Sequence, residues 1–216
     1  MTIRHHLSDD LLLSYAAGNL AEGWSLAVAT HLSFCAECRH RLALAEAAGG
    51  QLLETIAAAP VEPGSWAAVR NRLGEPAAPS ATRGAAPGAA ILPKPLRDYV
   101  GGDLEVVRWS PLGRGAAQMR LRTADGETQV RLLRIPAGRP VPEHSHGGRE
   151  LTVVLSGAFH DGETLFARGD IEEADSDIQH IPTATPEADC ICLAVTDAPL
   201  RFSSWVVRAL QPILKI

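Results

Sequence analysis

Between Gly74 and Pro95, five Pro, seven Ala and three Gly fall among 22 residues of a 216-residue chain. Proline removes a backbone donor and fixes φ, so neither a helix interior nor a central strand accepts that density. A stretch so poor in large apolar side chains also fails to offset the entropy of ordering itself. The chain therefore reads as two units, residues 1–75 and 96–216, joined by a semi-extended linker over 76–95. With 46% apolar and 21% charged residues, there is enough apolar side chain for packed cores, and collagen-like, coiled-coil or mostly disordered chains are excluded.

The first unit reads as helical. Ser8 is placed as an N-cap, with Asp9 and Asp10 in the first turn, where negative charge suits a helix N-terminus. Leu11, Leu12 and Tyr15 form its apolar stripe and Gly18 its stop. Trp24, Val28 and Leu32 recur at the period of a second amphipathic helix. A third runs from about Ala36 through Leu52, weakened by Gly49 and Gly50. Ser65 is expected to cap a last helix carrying Trp66, Val69 and Leu73. Four short helices make a thin core that needs a further staple.

The second unit reads as strands. Val130–Ile135, Leu151–Leu155 and Cys190–Val195 are short β-branched or apolar runs, punctuated by Asp125-Gly126, Pro136-Ala137-Gly138 and Asp161-Gly162 turns. The expected fold class is multidomain α + β, with an all-α N-terminal unit and an all-β sandwich or barrel after it.

Two patterns carry chemistry. In His31-x3-Cys35-x2-Cys38, one turn of backbone brings both sulfurs to one point, and His31 joins them across a helix end. Thiolate and imidazole together suit tetrahedral zinc, with His5 or His6 available as a fourth ligand. In the second half, His144-x-His146 on a strand directs both imidazoles to one face, and Glu150 lies at an even spacing from them.

The first pattern, in a short helical unit with His6 ahead of its first helix, resembles the zinc-binding anti-sigma domain. That resemblance implies His6, His31, Cys35 and Cys38 as ligands. Gly138-x5-His144-x-His146-x3-Glu150-x6-Gly157 resembles the first cupin motif. Gly169 and His180 keep the spacing of the second motif, while Asp175, Asp177 and Ala184 replace its usual Pro, Gly and Asn. Taken whole, the chain resembles the ChrR-type anti-sigma factors. The resemblance implies a zinc ion in the helical unit and a second metal, usually zinc, on His144, His146, Glu150 and His180. It also implies an extracytoplasmic-function sigma factor as partner, inhibited by the helical unit and released when the cupin-like half responds to singlet oxygen or related oxidants.

A metal-dependent cupin enzyme, a dioxygenase or isomerase with a helical regulatory appendage, is the rival reading, and a ligand-binding cupin regulator a third. A net charge of −5 speaks against direct contact with nucleic acid, whose affinity rests on Lys and Arg. No apolar run approaches the ~18 residues of a membrane span. Residues 1–6 lack a signal-peptide pattern, so a cytoplasmic location is expected. Cys190 and Cys192 read as small packing residues, His40 and His160 as surface histidines, and Asp170, Glu172, Glu173, Asp175 and Asp177 as a solvated acidic run. The four tryptophans, Trp24, Trp66, Trp109 and Trp205, read as core.

Overall fold

The structure is a computed structural model and describes residues 2–75, 90–176 and 178–202. Most of the expected linker, Asp177 and Trp205 lie outside the described residues. Helices α1 (Asp9–Ala16), α2 (Glu22–Phe34), α3 (Ala36–Glu54) and α4 (Ser65–Leu73) come first, then α5 (Lys94–Val100). The strands follow as β1 (Ser110–Gly113), β2 (Ala116–Leu121), β3 (Gln129–Ile135), β4 (His144–His146), β5 (Glu150–Ser156) and β6 (Ala158–Asp161). After them come β7 (Thr164–Ala167), β8 (Ile171–Ala174), β9 (Gln179–His180), β10 (Thr183–Ala184), β11 (Cys190–Thr196) and β12 (Leu200–Phe202).

Six strands form an antiparallel sheet in the order β1-β2-β3-β11-β5-β8. Two three-stranded sheets, β10-β6-β7 and β12-β4-β9, complete a barrel with it. Alternation divides the large sheet into two faces. Arg131, Leu133, Glu150, Thr152, Cys190 and Cys192 line the lumen. Leu132, Leu151, Val153, Leu155, Leu193 and Val195 face outward and share one core with Leu7, Leu11, Leu26, Val28 and Leu32 of the N-terminal region.

That continuous core alters the reading of two separate units. Helix α2 lies on β5 and β11, and Gly23 permits its closest approach, since a Cβ there would sit 2.1 Å from Thr128 Oγ1 and 2.7 Å from Val130 Cγ2. The end of the expected linker is also structured. Ile91 and Leu92 donate their N–H groups to Asp103, each at 2.8 Å, and Leu92 and Leu96 are buried. Pro95 in the first turn of α5 is compatible with that helix, because an early helical position has no intrahelical acceptor to lose.

At the other end of the helical region, Ser65 opens α4 instead of capping it: Gly64, at φ +89°, precedes the helix. The Ser65 hydroxyl donates to the Glu62 carbonyl at 2.8 Å. Trp66 is 68% exposed, against its expected place in the core, because α4 buries none of its residues. Trp24 and Trp109 are partly buried against the main core.

Candidate metal centres

The first cluster forms where α2 hands over to α3. His31 sits in the last turn of α2, Cys35 is extended at the junction, and Cys38 follows in the first turn of α3. The Cys38 N–H donates to Cys35 Sγ at 3.3 Å, so the sulfur takes the place of an N-cap oxygen at the positive end of the helix. His6 arrives from an extended segment fixed elsewhere. Asp170 Oδ1 accepts the N–H of Arg4 at 2.7 Å and of His5 at 3.0 Å.

His6 Nδ1 lies 3.2 Å from Cys35 Sγ and 3.7 Å from Cys38 Sγ, and His31 Nε2 lies 3.3 Å from Cys38 Sγ. All four donor atoms fall within 4.8 Å of one another. Bonds of ~2.0–2.1 Å to nitrogen and ~2.3 Å to sulfur put tetrahedral donors about 3.3–3.8 Å apart. The two Cys and two His residues thus fit zinc in number, type and spacing. His5 turns away, its Nε2 3.1 Å from the Leu165 carbonyl and its ring 4.3 Å from that of Phe166.

Burial pushes His31 down to about 4 against the opposing Gly169 backbone, so its imidazole is neutral and available as a ligand at neutral pH. Burial likewise pushes the Cys38 thiol up to about 11, a proton that metal binding must displace. Arg41 fastens the cover: it donates to the Leu7 carbonyl at 2.9 Å, reaches Cys38 Sγ at 3.9 Å and pairs with Asp9.

The second cluster occupies one end of the barrel lumen. Antiparallel pairing of β4 with β9 sets His144 opposite His180. His180 Nε2 lies 3.2 Å from His144 Nε2 and 3.0 Å from His146 Nε2. The other nitrogen of His144 is within 2.9 Å of the Pro142 carbonyl, an outer contact that fixes ring direction. Burial holds His144 and His146 down at about 4. Three buried imidazoles converging at this spacing suit a divalent cation.

Glu150 is not drawn into the three-histidine cluster. Its Oε1 accepts the Thr152 hydroxyl at 2.9 Å, and its Oε2 lies 3.5 Å from His146 Nδ1. The far side of His180 instead faces carboxylates, with Nδ1 at 3.0 Å from Asp161 Oδ2 and 3.9 Å from Glu172 Oε1. Burial, followed by the Asp161 charge, pushes Glu172 up to about 8. Asp161 read as part of a turn and Glu172 as part of a solvated run; only the alternation of β8 separates Glu172, facing the lumen, from Glu173. Asp170 and Glu172 are in fact buried, while Asp175 is exposed. Cys190 and Cys192 are buried free thiols lining the lumen. The Cys190 thiol beside it, then burial, holds Cys192 well above the ordinary thiol range.

A four-donor Cys/His cluster on a helical layer, docked against a cupin-like barrel with its own histidine cluster, defines a protein with two sites that could each hold a metal ion. The family profile described as the ChrR cupin-like domain matches residues 98–199. The anti-sigma-E factor ChrR of Cereibacter sphaeroides (strain ATCC 17023) is 52% identical over 217 residues, covering 100% of both chains. The crystal structure of Rhodobacter sphaeroides SigE in complex with the anti-sigma ChrR matches at a TM-score of 0.80 and 50% identity, over 91% of this chain and 100% of that one. An RmlC-like cupin protein of Ralstonia eutropha JMP134 is more distant, with a TM-score of 0.40 and 18% identity over 48% of this chain and 71% of that one. The chain belongs to the ChrR family.

Proposed function

We propose that the chain is an anti-sigma factor, a regulator and not an enzyme, that holds an extracytoplasmic-function sigma factor inactive in the cytoplasm without itself contacting nucleic acid. In this reading residues 1–75 bind sigma, residues 76–95 link, and residues 96–216 sense oxidants such as singlet oxygen. Zinc on His6, His31, Cys35 and Cys38 ties the N-terminal segment to the α2–α3 junction. A second zinc is held by His144, His146 and His180, with Glu150 beside them as the remaining ligand. Among the described residues, no helix is long and apolar enough to cross a membrane.

The observation that carries this reading is α4. A nine-residue helix is marginal alone in water, and this one buries nothing on its own chain. Trp66, Val69 and Leu73 share one helical face, and with Leu52, Leu53 and Ile56 at the end of α3 they present exposed apolar surface. Such surface marks a protein-binding site, and ChrR of Rhodobacter sphaeroides was crystallised with its sigma factor.

The test is capture of a co-expressed extracytoplasmic-function sigma factor by the full chain. Trp66→Asp is expected to reduce capture at least tenfold while leaving bound zinc and thermal midpoint unchanged, because the side chain is 68% exposed in the free protein. Undiminished capture would remove α4 from the interface and with it the main support for this reading.

A further inference from the structure

His180 is the histidine that faces both of the others: its Nε2 lies 3.2 Å from His144 Nε2 and 3.0 Å from His146 Nε2. The Nδ1 edge of the ring therefore points away from the cluster. There Asp161 Oδ2 stands 3.0 Å from Nδ1. Glu172 Oε1, 3.9 Å from the same nitrogen, is beyond hydrogen-bond reach and lies against Asp161 instead. The His180 side chain is 4% exposed and that of Asp161 22%, so little water competes for the contact.

Strand pairing fixes this placement. β10 sets Thr183 opposite His160 of β6, so Asp161, the next residue, runs alongside the chain leading back from Thr183 to His180. Asp161 also pairs with Thr164 across the β6–β7 turn, where Gly162 takes φ +55°. His180 itself belongs to β9, paired with β4, so the contact joins two sheets. A neutral imidazole carries one proton and one free lone pair, and the hydrogen bond made by one nitrogen decides which is where. A carboxylate accepts, so Asp161 keeps the His180 proton on Nδ1 and leaves Nε2 open toward His144 and His146. The Pro142 carbonyl serves His144 in the same way.

We propose that Asp161 is a positioning residue of the barrel site, fixing the tautomer and direction of His180 and so setting how tightly a divalent ion is held there. The inference rests on metal binding by His144, His146 and His180, and its test separates the two. It does not depend on sigma-factor binding.

The probe is zinc, counted on the full chain by native mass spectrometry and withdrawn with a competing chelator. The unaltered chain is expected to hold two ions, of which His180→Ala removes one. Asp161→Leu, of similar size but with no acceptor, is expected to weaken that same ion at least tenfold and leave the other within twofold. Asp161→Asn, which keeps an acceptor oxygen, is expected to hold it more tightly than Asp161→Leu does. In the zinc-saturated unaltered chain, ¹H–¹⁵N spectra are expected to show a solvent-protected ring proton on His180 Nδ1, which Asp161→Leu loses. If Asp161→Leu does not fold, that protected proton in the unaltered chain decides the question alone. Equal zinc retention by Asp161→Leu, or no protected proton on Nδ1, overturns the positioning role and leaves the barrel metal site standing. A third ion that Asp161→Leu abolishes also overturns it, by making Asp161 a ligand. No ion removed by His180→Ala overturns the metal site itself, and the inference with it.

Discussion

Glu22 and Asp125 are 103 positions apart, yet each completes what the other element lacks. Ala21 precedes α2 with no side-chain acceptor to offer, and Asp125 Oδ2 accepts the Glu22 N–H at 2.6 Å in its place. The Glu22 carboxylate in turn accepts the Ala124 N–H and the Tyr99 hydroxyl. That hydrogen bond raises the Tyr99 phenol from 10 to about 12. An unfolded chain therefore gives up this proton first as pH rises. The stability held by the bond is complete below pH 10 and is lost between 10 and about 12. Tyr99→Phe is expected to flatten this alkaline fall in an unfolding titration, and an unchanged slope would show the bond contributes nothing. The neighbouring histidines make a second residue-level test. His6→Ala is expected to weaken zinc binding at least tenfold in a chelator competition, whereas His5→Ala leaves it within twofold. The reverse order would assign the ligand to His5.

Gly23 sets the distance between the helical layer and the sheet. Gly23→Val places new carbons where Thr128 Oγ1 and Val130 Cγ2 already sit, so α2 must lift from the sheet. A loss of about 1–3 kcal/mol is expected in denaturant unfolding. Gly50→Ala, with nothing within 4 Å of its added carbon, is expected to stabilise by about 0.5–1 kcal/mol. If both changes behave alike, α2 is not docked as described. The same interface explains what the sequence made legible. The strand runs at 130–135, 151–155 and 190–195 were readable from their composition, and the helices from their period. The runs are nearly continuous in apolar residues, which signals a sheet covered on both faces; the second cover is α2. Linker composition masked this packing, since Ile91 and Leu92 lie among prolines and alanines that carry the average. Helix α5 was missed because Pro93 and Pro95 read as breakers, although a proline is tolerated in a first helical turn. Of the barrel histidines, His144 and His146 were legible from a two-residue period, and His180 from its spacing after Gly169 in the second cupin motif. The place of Asp161 and Glu172 was not, because it depends on which strands the β6–β7 and β8 segments meet.

Across the whole molecule, β8 runs between the two donor clusters. Glu172 turns to the lumen and His180, while Glu173, the next residue, accepts the Ser8 N–H at 2.8 Å from the opposite face. Asp170, at the start of the same strand, holds Arg4, His5 and the Ala167 N–H together, the last at 2.8 Å. His6, between these anchors, belongs to the Cys/His cluster. A displacement of β8 at the barrel cage thus moves the anchors on both sides of a ligand in the helical layer, with no need for the linker to transmit anything. Asp170 is only 2% exposed, and Asp170→Ala orphans three donors, at about 1–3 kcal/mol for each that water cannot reach. Coupling should fail before the fold does. The variant is expected to retain metal at the barrel histidines yet hold zinc at the helical cluster at least tenfold more weakly, and to release its sigma partner without oxidant. The readouts are metal content by mass spectrometry under native conditions and sigma capture with and without a singlet-oxygen generator. Oxidant-dependent release with the helical metal retained would show that the proposed signal does not pass through β8.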